Sequence, residues 1–177
     1  MCSRNSWSVS AVSIEHDYFG VIGDNGTGGL RWSDTVELGD QIVSVDLSAD
    51  DEAEVNDVVL ALAAAMLHAL EGFDARARDA LIAQLSERES ATTQYVDASV
   101  DELGEDLLDV LVHNSGDIAM DVLRSLQLVH IGFYPANDED GDAFAVFDYS
   151  LSPDDSEYLL VVNFDIQGDV VGVENAR

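Results

Sequence analysis

At 177 residues with 47% hydrophobic side chains, the chain suits one domain with a sizeable core, and it is too apolar for a disordered acidic tail. Its 36 acidic residues outnumber 7 basic ones, all arginine, giving a formal net charge of −29. Such a surface repels phosphate, which argues against nucleic acid and anionic membrane as partners, and it attracts cations and basic proteins.

A single cysteine, Cys2, excludes an intramolecular disulfide and a thiolate metal cluster. The opening residues Met1 to Trp7 lack the apolar run of a signal peptide. The weakly polar run Val58 to Leu70 is too short to span a bilayer. The expectation is a soluble cytoplasmic protein, with residues 1–16 as an N-terminal arm and 17–177 as a single domain.

In chain order, Trp7, Val9 and Ala11 alternate with serine, as in an edge strand or an ordered arm. Tyr18 to Ile22 reads as a strand, and the glycines from Gly23 to Gly29 mark a wide turn that returns through Leu30, Arg31 and Trp32. A phosphate cradle would need a helix start directly after that turn, and the pattern there is another strand. A tighter hairpin follows: Thr35 to Leu38, a Gly39-Asp40 turn, then Gln41 to Leu47. In its second arm Val43, Val45 and Leu47 face one way and Ser44 and Asp46 the other.

The spacing of Ser48 and Asp51 suggests a capping box opening a helix on the apolar rhythm Val55, Val58, Val59, Leu62, Met66, Ala69, Leu70, ended by Gly72. Asp74 would cap a second helix, antiparallel to the first, with Ala77, Leu81, Ile82 and Leu85 inward and Arg76 and Arg78 outward. One or two shorter helices are expected from Ala91 to Leu111, broken near Gly104. Asp117 should cap a last one carrying Ile118, Val122 and Leu123.

The remaining runs, Leu128–Phe133, Ala143–Tyr149, Tyr158–Phe164 and Val170–Val173, are short and bounded by turn residues. Tyr158–Phe164 is apolar on both faces, which predicts a central strand covered twice. The fold class is α+β: N-terminal antiparallel hairpins, central helices, and a C-terminal antiparallel meander of about four strands packed on the helices. The pattern leaves open whether the two groups of strands share one sheet.

Chemistry is sparse. No Gly-x-Ser-x-Gly elbow occurs, and His16, His68, His113 and His130 are not spaced for zinc. His130, between Val129 and Ile131, would face solvent or a polar pocket. The run Asn137 to Asp142 makes Asp138, Asp140 and Asp142 the candidate metal ligands. With Gly141 at the sixth place of a calcium loop, however, Ala136 and Phe147 fall at the first and twelfth, so a solvated hairpin turn is the better reading. Asp148 and Asp165 interrupt apolar strands and would serve as strand-end or turn-capping groups. No catalytic residue and no cofactor is assigned.

Phe147-Asp-Tyr-Ser150, then Tyr158-Leu-Leu-Val-Val-Asn-Phe-Asp165 and the Gly168 turn, resemble the end of a bacterial family of small acidic proteins, domain of unknown function two thousand and four. Tyr18-Phe19-Gly20 and the Ala75–Leu81 segment are similar to it too, so the resemblance covers the chain from about Asp17 onward. It brings no catalytic residues, and it implies at most a loose likeness to immunity proteins that neutralise a toxin. Three functional classes follow: a non-enzymatic module binding a basic protein, a divalent-metal-dependent enzyme or metal-binding module using the Asp138–Asp148 region, or acidity as adaptation to salt.

Overall fold

The computed structural model describes residues 13–24 and 26–177, so Cys2 and the strand expected at Trp7–Ala11 lie outside the described residues. The described strands are β1 (Ile14–His16), β2 (Gly20–Asp24), β3 (Leu30–Leu38), β4 (Gln41–Ala49), β5 (Gln127–Phe133), β6 (Ala145–Ser150), β7 (Leu159–Phe164) and β8 (Val170–Ala176). They lie side by side in chain order as one sheet. Every neighbouring pair is antiparallel except β4 and β5, which run parallel with Val45 opposite Ile131 and Leu47 opposite Phe133. The N-terminal hairpins and the C-terminal meander are therefore two halves of one mixed α+β sheet. A parallel joint requires a long crossover, and the central helices supply it.

The expected hairpin at Gly39-Asp40 is present, but its first arm is longer than the sequence suggests. β3 runs unbroken from Leu30 and pairs with β4 along its whole length. In β4 the alternation holds: Val43, Val45, Leu47 and Ala49 are buried, while Ser44 is exposed and Asp46 half-buried.

The helices are α1 (Asp57–His68), α2 (Leu70–Gln84), α3 (Ala91–Leu103), α4 (Leu107–Val110) and α5 (Ile118–Ser125). The start of α1 differs from the capping box expected at Ser48 and Asp51. Ser48 still belongs to β4, Asp51 caps a single turn at Glu52–Glu54, and Asn56 caps α1 by accepting the N–H groups of Val58 and Val59. Asn56 and Asp57 sit directly before the apolar run and give a better cap and dipole partner than residues five to eight positions earlier. Val58, expected inside, is 67% exposed, and the buried face of α1 runs through Val59, Leu60, Ala63, Met66 and Leu67.

Gly72 does not end α1. The break comes at Ala69, Gly72 lies within α2, and the two helices are bent by 80° rather than antiparallel. Asp74 accordingly sits inside α2 and caps nothing. Its carboxylate accepts from the Tyr149 hydroxyl at 2.7 Å and from Arg78 Nε at 3.1 and 3.2 Å. Arg78, expected outward, points inward: it donates to the carbonyls of Leu123 and Leu126 and lies over the Tyr149 ring. Arg76 donates to the Gly168 carbonyl. Buried carbonyls at the end of α5 need donors, and guanidinium groups reach them where the apolar face of α2 cannot.

The break near Gly104, where φ is +52°, and the cap at Asp117 are as expected. The helices gather on the sheet face that carries Val45, Leu47, Ile131, Phe133, Phe147 and Phe164, all essentially inaccessible to solvent. Each such side chain contributes roughly 1.5–3 kcal/mol. No described helix lies over the other face.

β7 is not central; it is next to the β8 edge. Its off-core residues Val161 and Asn163 are buried because Tyr134, Asn137 and Ala143 of the β5–β6 connection and Glu174 of β8 close around them, not because a second layer exists. No single described helix is long and apolar enough to cross a membrane, and the bent α1–α2 pair buries Val59, Leu60, Ala63, Leu67, Leu70, Ala77 and Leu81 in the core.

Candidate functional site

The chemically richest place in the described structure is on the helix-free face, at the parallel joint. The register of β5 against β6 shifts between Leu128 and His130. Leu128 lies opposite Tyr149 on the helix side, and His130 lies opposite Asp148 on the other. Without that bulge Leu128 and His130 would share a face, so the extra residue re-aims the histidine. From β4, Asp46 reaches the same spot, and Gly132 sits beside it in register.

His130 is held on both sides. Its Nδ1 lies 2.9 Å from Asp148 Oδ2 and its Nε2 2.7 Å from Asp46 Oδ2. The hydrogen bond to Asp148, then the bond to Asp46 and the charges of both carboxylates, overcome the opposing effect of partial burial and raise the imidazole from 6.5 to about 9. At neutral pH the ring is an imidazolium, which alone lets both nitrogens donate at once. Tyr134 flanks it: a Cβ on Gly132 would meet the Tyr134 ring and hydroxyl at 3.2 Å and His130 Cε1 at 3.4 Å. The glycine makes room for the tyrosine. Burial first, then Asp46 and Asp148, push the Tyr134 hydroxyl above its usual pKa.

Shallow depressions lie on either side. One of about 280 Å³ is lined by Ser33, Thr35, Ser44, Asp46 and His130, the other of about 300 Å³ by Tyr134, Val146, Asn163 and Glu174. Ser44 is the cross-strand neighbour of His130, yet the histidine nitrogen that could activate a hydroxyl is bonded to Asp46. The cluster thus has no free base for a nucleophile and no free imidazole lone pair for a metal. The outer oxygens of Asp46 and Asp148 make no hydrogen bond among the described residues, and they are left as acceptors for a donor from outside.

The residues singled out from sequence fall in different places. Asp138, Asp140 and Asp142 lie in the β5–β6 connection and are not brought together: Asp140 accepts from Gln167 Nε2 at 2.7 Å, and the backbone at Gly141 is tied to Asp165. Among the described residues no group of three His, Cys, Asp or Glu side chains is placed to hold a metal ion. Asp165 does cap a turn, accepting the N–H groups of Gln167 and Asp169 as well as Gly141. Burial pushes its carboxyl upward, but the N–H donors from Asp169, Gly141, Gln167 and Gly168 outweigh this and hold it below the usual carboxylate range. Asp148 is neither a strand end nor a turn cap, and lies mid-strand facing His130.

Sequence reasoning did not identify Asp46 as a partner of His130, nor Tyr134 as part of the group. The available signal was the spacing of Leu128, Ile131 and Phe133, three and then two apart, which betrays the bulge. No family model matches the chain, and no curated protein or solved structure matches it.

Proposed function

We propose that this protein acts by binding rather than catalysis, and that its partner is a basic protein received on the helix-free face of the sheet. The observation that carries this reading is the double engagement of His130 by Asp46 and Asp148. The engagement takes the His130 imidazole out of use as a base and leaves a further oxygen on each carboxylate as an acceptor. Each of these oxygens is an acceptor for a charged donor such as an arginine guanidinium, which hydrogen-bonds carboxylate strongly. The net charge of −29 adds long-range attraction for such a partner and speeds its encounter. In its narrowest form the partner is a basic toxin that the protein neutralises, in line with the resemblance noted from the C-terminal strands.

The test is affinity capture from the source lysate with two baits, the natural protein and the Asp46→Asn, Asp148→Asn double variant. The expected result is a basic protein retained by the first, released by salt, and held roughly tenfold less by the second. Equal capture by both baits, or none at low ionic strength, refutes the reading.

A further inference from the structure

We infer that the outer edge of β8 is a docking edge at which an extended, cationic segment of the partner adds as a further strand. The sheet has two edges, and they are unequal. β1, at one side, is three residues long. β8, at the other, is seven residues long and contains no proline; the register shift near Val171 interrupts its start, and from Gly172 to Ala176 it pairs regularly with β7. Its inner side pairs with β7 from Leu159–Ala176 to Phe164–Val170, so it is a fixed template. Beneath it α3 reaches Asn175 through Gln94. On its outer side the backbone N–H and C=O groups find no protein partner among the described residues.

Charge decides which strand can pair there. A second copy of this chain would bring two surfaces of net charge −29 together, with Glu174 of each edge facing acidic surroundings. An extended cationic segment meets the opposite situation. Glu174 uses one carboxylate oxygen on Asn163 Nδ2 at 3.2 Å, and a lysine or arginine on the added strand would sit beside it as a cross-strand pair. Val171, 39% exposed where the β7–β8 register shifts, offers an apolar contact on the same edge. A segment alternating basic and apolar residues matches this edge, since its main chain supplies affinity and its side chains supply the choice. The inference rests on the proposed basic partner and adds where that partner's backbone lies.

The experiment uses the full chain and two synthetic peptides, both short and alternating arginine with valine, one of them N-methylated at every backbone amide. Methylation leaves the charge and removes the backbone donors. The expected result is binding of the plain peptide at low ionic strength, roughly tenfold weaker binding of the methylated one, and slowed hydrogen exchange of the amides in residues 170–176. Equal binding of both peptides with unchanged exchange in β8 overturns the edge while leaving the basic-partner reading intact. Failure of both peptides to bind overturns the two together.

Discussion

Replacing Asp148 with asparagine keeps the shape of the His130 cluster and removes the partner that raises the imidazole most. In the unaltered protein the ring is shifted from 6.5 to about 9. At about 1.36 kcal/mol per unit, a shift of about 2.5 units corresponds to roughly 3.4 kcal/mol. The His130 side chain is 30% exposed, and solvent screening brings the contribution to stability down to about 1–2 kcal/mol. The folded value lies above the unfolded one, so this stabilisation is complete below about pH 6.5 and is lost as the pH rises through about 9. The chain has no lysine to titrate near the top of this window. Urea denaturation between about pH 7 and pH 10 should show a fall of about 1–2 kcal/mol in the unaltered protein and less than half of it in Asp148→Asn. Proton NMR should follow the same ring titrating near 9, and several tenths to a unit or more lower in the variant. A ring that titrates at 6.5 in the unaltered protein, or an undiminished alkaline fall in the variant, would show that the clamp is not energetically real.

Five other substitutions test the frame around this site. Gly168 has φ of +82°, and a Cβ there would meet Phe73 Cε1 at 3.0 Å, so Gly168→Ala should cost about 1–3 kcal/mol in urea denaturation. Leu107 is 6% exposed and its neighbour Leu108 61%; Leu107→Ala should cost about 2–4 kcal/mol and Leu108→Ala under about 0.5 kcal/mol. Tyr149→Phe removes the hydroxyl that donates to Asp74, for a loss of about 1–2 kcal/mol in the same assay. Asp121 is inaccessible and accepts from the Ser115 hydroxyl and N–H; Asp121→Asn should lower the melting temperature. Because the Ser115 hydroxyl, followed by backbone donors, holds the Asp121 carboxyl below the usual range, its contribution is present above about pH 4 and is lost as the pH falls.

Elements defined by neighbours in the chain could be read directly. The Gly39-Asp40 hairpin, the Asp117 cap and the meander runs each depend on residues a few positions apart, and local pattern is sufficient there. Where two local signals competed, the wrong one was favoured: Ser48 and Asp51 have the capping-box spacing, but Ser48 was already committed to pairing with Arg31 in the β3–β4 ladder, leaving Asn56 to start the helix. Gly72 looks like a helix end because glycine often is one, but nothing in the sequence reveals that Phe73 has to reach Gly168 and Phe164 across the fold. Arg78 and Asp74 form an ordinary exposed i, i+4 pair on paper, and only the position of Tyr149 turns them inward. The candidate site was the least legible part, because Asp46 and His130 are 84 residues apart and meet only through a parallel pairing that no local periodicity encodes.

That parallel pairing also orders how the chain assembles. All other strand neighbours are successive in sequence, and hairpins of that kind close within microseconds. The β4–β5 seam waits until the entire helical crossover has been gathered, an entropic cost that grows with the length of chain enclosed and that slows folding in proportion to the remoteness of its contacts. It is the step expected to limit the rate, with Val45 and Ile131 among the residues whose truncation slows folding instead of merely speeding unfolding. His130 straddles the seam as a clasp, bonded to Asp46 on one side and to Asp148 on its own half. Alkali, by removing its proton, therefore loosens the joint between the sheet's two sets of four strands.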